Sequence, residues 1–126
     1  MRLAFTAAAL ACSSPALATG GFECRPVSGP GPALVMTIGH TLSAIPVSVT
    51  LREGGRTLST YGPSAPLVIG QSWFDERYLW LDLTDASLSR REAKLRAVFQ
   101  PKLRGRPAIG TLVRNGRTFK VRCVEA

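Results

Sequence analysis

The chain has 126 residues, 45% of them hydrophobic, and carries sixteen Lys and Arg against eight Asp and Glu, a formal charge of +8. That length suits one domain with a modest core, and the absence of an internal repeat or heptad seam excludes solenoids and coiled coils. A single histidine, His40, far in sequence from Cys24 and Cys123, leaves no ligand set for zinc, and nothing in the sequence implies a cofactor.

The chain opens on MRLAFTAAALACSSPALATGG. Arg2 supplies a positive start, Leu3 to Ala11 a brief apolar run, and Ala16-Leu17-Ala18 small residues where a signal peptidase reads them. Residues 1–18 therefore read as a signal peptide and 19–126 as the exported domain, periplasmic or secreted. The apolar run is too short to span a bilayer, and no later stretch reaches membrane length. Cys12 after Ala9-Leu10-Ala11 offers an alternative, a lipidated cysteine that is kept rather than removed.

With Cys12 gone, Cys24 and Cys123 remain. In an oxidising compartment they form a disulfide with only one connectivity, joining the two ends of the mature chain; a buried reduced pair is the alternative. Closing a loop of about 100 residues is worth roughly 4.7 kcal/mol in the chain-entropy model.

Between the cysteines, apolar residues alternate. Val47, Val49 and Leu51 interleave with Ser48, Thr50 and Arg52, the period of a half-buried strand. Glu53-Gly54-Gly55 then turns the chain back into Arg56 to Tyr61. Tyr78 to Leu83 alternates too, with Leu79, Leu81 and Leu83 on one face and Tyr78 and Trp80 on the other. Segment 87–99 is ambiguous. Ser89 and Glu92 fit a helical capping box, yet as a strand it puts Ala93, Leu95, Ala97 and Phe99 on one face and Glu92, Lys94 and Arg96 on the other, and the strand is favoured. Asn115-Gly116 between two alternating runs predicts a tight hairpin. Its register opposes Arg114 to Arg117 and Leu112 to Phe119, and turns Phe119, Val121 and Cys123 inward. The expected fold is mainly β, a small antiparallel barrel or sandwich, with at most one short helix around 87–99.

Charge is distributed unevenly. Arg90 to Arg122 holds eleven basic residues and one acid, whereas Thr19 to Ser89 holds four basic residues and six acids. If 91–99, 108–114 and 117–123 pair in turn, Lys94, Arg96, Lys120 and Arg122 project from the outer face, and Lys102, Arg104 and Arg106 crowd one rim. Like charges side by side on a sheet cost stability. Such a face needs solvent, internal acids or an anionic partner. Asp82, beside Lys94 or Arg96, is the internal candidate. An anionic component of the cell envelope (a lipid headgroup, a lipopolysaccharide phosphate or an acidic glycan) is the external one. Nucleic acid is a poor fit for an exported chain without any nucleic-acid-binding motif.

Trp73, Tyr78 and Trp80 supply an alternative contact surface for a protein partner, or else serve the core. No catalytic motif is present: no Gly-x-Ser-x-Gly, no His-Glu-x-x-His and no Walker loop. Asp75-Glu76 and Asp82/Asp85 are the only carboxylate pairs that suggest glycoside hydrolysis, and their parity in a strand points the partners apart.

One cysteine in a first strand, Phe22-Glu23-Cys24, and another in a last strand, Gly116 to Cys123, resemble the plan of small secreted bacterial β-proteins. Among these, the C-type lysozyme inhibitors share the size and the disulfide-stapled barrel. The resemblance covers the chain ends and implies a stapled β-barrel. It carries over no inhibitory residues, because Tyr61-Gly62-Pro63-Ser64-Ala65 does not match that family's inhibitory loop and the basic charge would oppose a basic lysozyme. The sequence thus points to an exported, non-catalytic binding module.

Overall fold

Short alternating segments separated by glycine-rich turns cannot bury an apolar face alone, and here they do so by curling one sheet around itself. The computed structural model describes residues 20–39 and 46–126; the predicted leader 1–18, Cys12 and His40 lie outside them. Nine strands form: β1 (Gly20–Pro26), β2 (Ala33–Ile38), β3 (Pro46–Glu53), β4 (Arg56–Ser59), β5 (Leu67–Phe74), β6 (Tyr78–Asp85), β7 (Arg91–Phe99), β8 (Ala108–Arg114) and β9 (Arg117–Glu125). They make a single antiparallel sheet in the order β4-β3-β2-β1-β9-β8-β7-β6-β5, curved into a nearly closed barrel, with no helix among the described residues. Segment 91–99 is a strand, so the helical alternative for 87–99 is excluded there.

The order shows two meanders. β1 to β4 form one, β5 to β9 the other, and the pairing of β1 with β9 joins them. On the opposite side lies a seam, where four-residue β4 is too short to reach along β5. Thr60 continues the line beyond β4: its N–H donates to Val49 O at 3.0 Å and its Oγ1 accepts from Val49 N at 2.9 Å.

The interior is apolar. Leu34, Met36, Val49, Leu51, Leu79, Leu81, Leu83, Leu95, Leu112 and Val121 are all essentially closed to solvent. Their partners in alternation, including Lys94, Thr111, Lys120 and Arg122, face outward. That is the reverse of a membrane-spanning barrel, whose apolar band faces out. One end of the barrel is plugged by Phe22, Phe74 and Phe99, with ring centroids 5.5–5.9 Å apart. The other end is closed by charge. Arg114 lies in the inward register of β8 and is 7% exposed. Its Nε donates to Glu53 Oε2 at 2.8 Å and its Nη1 to Glu92 Oε2 at 2.7 Å and to Glu92 O at 3.1 Å. Strict alternation would put Glu92 on the outer face with Lys94 and Arg96. A register irregularity, in which Leu83 pairs with Ala93 but Thr84 with Arg91, displaces it to this end instead.

Gly110 shows how close the strands pack. A Cβ there would overlap the carbonyl oxygen of Arg96 and lie 2.6 Å from Ala97 Cα. Because those are backbone atoms between two paired strands, the sheet itself would have to move. Gly110→Ala is expected to lose about 1–3 kcal/mol in urea unfolding, as overpacking does; an unchanged midpoint would show that β7 and β8 can separate freely.

Candidate functional site

The hairpin at Asn115-Gly116 forms as its sequence predicts. Asn115 and Gly116 take φ of 51° and 73°, and Arg114 opposes Arg117 and Leu112 opposes Phe119. This register, with the pairing of β7 and β8, fixes the outer face. Lys94 and Arg96 lie on β7, and Lys120 and Arg122 on β9. The row Ile109, Thr111, Val113 of β8 runs between them, so the strip is two rows about 10 Å apart, or two strand spacings. Across the β1–β9 junction Arg122 stands opposite Arg25, which pairs with Glu23. Lys102, Arg104 and Arg106 are exposed on the loop after β7, at the phenylalanine-plugged end.

Arg96 is the one member of the strip with a bound acid. Its Nη1 and Nη2 donate to Asp82 Oδ1 and Oδ2 at 2.9 and 3.3 Å, and its Nη1 also to Leu95 O at 2.7 Å. Arg91 approaches Asp82 Oδ2 at 3.7 Å. Asp82 is 5% exposed beneath these two guanidinium groups. Internal pairing thus accounts for Arg96 and Arg91. Lys94, Lys120, Arg122, Lys102, Arg104 and Arg106 have no ion-pair partner among the described residues.

The aromatic residues adjoin the same face. β5 and β6 pair Trp73 directly with Trp80, and β6 and β7 pair Trp80 with Arg96. Trp73 is 53% and Trp80 39% exposed, so neither is a core residue; Phe74, between them in the chain, packs inward instead. Trp73 is held at its edge and Trp80 at its ring. Trp73 Nε1 donates to Asp75 Oδ2 at 2.8 Å. Trp80 lies between the Tyr78 ring, centroids 5.0 Å apart, and Arg96 Cζ, 5.4 Å from its centroid. Just before Trp73, at Gly70 and Gln71, β5 bulges, since Ile69 pairs with Leu83 but Ser72 with Leu81. The result is a shallow groove of about 630 Å³ lined by Ile69, Gly70, Gln71, Ser72, Trp73, Trp80 and Arg96. Gly70 inside the strand is the one local mark of this irregularity; the placement of Gln71 beside Trp80 and Arg96 depends on strand pairing and is not legible in the sequence.

One member of each candidate carboxylate pair is committed to a turn, and Asp82 is held by Arg96. Asp75 accepts from Trp73 Nε1 and from the N–H groups of Tyr78 and Arg77, both at 2.7 Å, and these bonds, led by that from Trp73, hold its carboxyl below the usual range. Desolvation pushes Asp85 up, but bonds from the N–H groups of Arg90 and Ser89 and the hydroxyls of Ser87 and Ser89 outweigh it and leave it lowered too. A general acid needs a raised value. Neither residue offers one. Among the described residues no cluster of three or more His, Cys, Asp or Glu could hold a metal.

Fold and site together define a disulfide-stapled β-barrel with an external groove that is aromatic at one side and basic at the other. Comparison of the chain with protein-family models, with curated proteins and with solved structures finds no match.

Proposed function

We propose that this is an exported, non-catalytic binding module that captures an anionic component of the cell envelope on the outer face of β5 to β9. The observation that carries the reading is the continuity of that face. The aromatic groove and the basic strip meet at Arg96, and beyond it Lys94, which stands opposite Asp82, and Lys120 and Arg122 form no ion pair among the described residues. Cations spaced across a sheet raise the local concentration of a polyanion and hold it by many weak contacts, which weaken with salt. The leader-like residues 1–18 support export, and the disulfide is compatible with it.

The test is binding of the oxidised protein to phosphatidylglycerol and phosphatidylcholine vesicles across a salt series. Binding to the anionic surface alone, falling steeply with salt, is expected, and Lys94→Glu with Arg122→Glu should abolish it while leaving the unfolding midpoint in place. Undiminished binding by that variant would reject the strip as the site.

The exposure of Trp73 on the edge strand β5 and of Trp80 on its neighbour β6 also supports a second reading, contact with a protein partner through the stretch 73–80. Such contact would be nearly indifferent to salt, and Trp80→Ala with Tyr78→Ala would remove it where the charge reversals would not.

A further inference from the structure

We infer that the groove between Trp73 and Trp80 is a saccharide subsite, and that the anionic ligand of this face is an acidic glycan. The inference rests on the anionic-capture reading above and names its ligand.

Three features of the groove select this chemistry. First, its aromatic walls are held in place. Trp73 is tethered by its bond to Asp75, and Trp80 by Tyr78 and by Arg96 over its ring, and both indoles remain partly open to solvent. A tethered aromatic face suits the apolar C–H face of a pyranose ring and costs little entropy on binding. Second, hydrogen-bonding groups stand beside the rings. The Gln71 amide donates and accepts, and Arg96 uses three of its five N–H donors on Asp82 and Leu95, leaving two for a ligand. A sugar presents an apolar face and a hydroxyl rim in one ring, and needs both kinds of contact within one site. Third, the groove lies on the same outer face as the basic strip and shares Arg96 with it, so one chain-like ligand can occupy both. From the groove the open face runs over β7 and β8 to β9, about 19 Å from β5 at four strand spacings. Along that path Lys94, Lys120 and Arg122 can meet successive carboxylates of an extended polymer.

The chain contains two tryptophans, and both line this groove, so tryptophan emission excited selectively over the two tyrosines reports the subsite. The experiment is a titration of the oxidised protein with polygalacturonate, with dextran as neutral glycan and phosphatidylglycerol vesicles as non-sugar anion. Fluorescence locates the ligand, and calorimetry gives affinities for the variants. The expected result is polygalacturonate binding that shifts tryptophan emission and weakens with salt. Trp80→Ala should weaken it by about tenfold or more, and Trp80→Phe, which keeps an aromatic face, should recover most of the loss. Dextran binding as tight as polygalacturonate would overturn the acidic-glycan assignment. So would polygalacturonate binding with unchanged emission and no effect of Trp80→Ala, which would mean charge alone. Vesicle binding without polygalacturonate binding would overturn the saccharide subsite and leave the anionic face standing. Failure of every anion at low salt would remove both.

Discussion

Removing the disulfide is expected to cost about 4 kcal/mol, a large share of the 5–15 kcal/mol that holds a domain of this size. Cys24 and Cys123 are directly paired on β1 and β9, 99 residues apart in sequence, and both are closed to solvent. In the folded state the two strands are already neighbours, so the bond adds little there. Its effect is on the unfolded chain, in which it closes a loop across a sequence separation of 99 residues. The position matters as well as the loop length. β1–β9 is the pairing that joins the two meanders, while the far side of the barrel has only the seam at β4 and Thr60. The variant Cys24→Ala/Cys123→Ala should lower the melting temperature by roughly 15–30 °C. Because both sulfurs are buried, dithiothreitol under native conditions should act no faster than the chain unfolds. A loss below about 1 kcal/mol would mean that the unfolded ends already stay together without the bond.

What is legible in the sequence is local, or depends on parity. The Asn115-Gly116 turn needs only two residues that accept positive φ, and those two alone set the register of β8 and β9. The disulfide needs only export and a count of cysteines. For 87–99 two local signals conflict, and burial decides between them. Ala93, Leu95 and Ala97 go into the core as a strand, while Ser89 serves the turn by bonding to Asp85 and Glu92 bonds to Arg90 and Arg114. Their helical capping pattern is therefore a coincidence of turn chemistry. What is not legible is long-range. The seam and the pairing of Trp73 with Trp80 depend on which strands become neighbours. Arg114 is the instructive case. The pairing of Leu112 with Phe119 turns Leu112 inward, so parity alone turns Arg114 inward too. Its charge groups it with the basic third of the chain instead. Glu53, two residues beyond Leu51, follows the same rule.

Arg114→Met is accordingly expected to destabilise the protein by about 2–3 kcal/mol, a fall in the urea midpoint of roughly 1–2 M. The side chain bridges the two meanders inside the barrel, from β8 to Glu53 at the end of β3 and to Glu92 on β7. Removing one member of a fully buried ion pair costs roughly 3–5 kcal/mol, but the discount here is physical. The Glu53 side chain is 36% exposed and can be rehydrated, whereas Glu92 is 10% exposed and keeps only Arg90, at 2.8–2.9 Å. Adding Glu92→Gln to Arg114→Met should therefore recover part of the loss. The same cluster sets an acid limb. Hydrogen bonds from Arg90, against the opposing effect of desolvation, and then from Arg114 hold the Glu92 carboxyl below its ordinary value of 4.5. A carboxyl depressed in the folded state binds its proton more readily when unfolded, so its contribution is complete above that ordinary value and is lost as the pH falls through the folded one. Urea midpoints measured downward from neutral pH should thus fall more steeply below about pH 4.5 for the native chain than for Arg114→Met, and least for the double variant. Parallel acid limbs in all three would show that Glu92 titrates as an ordinary surface carboxyl and that this end of the barrel is held by packing alone.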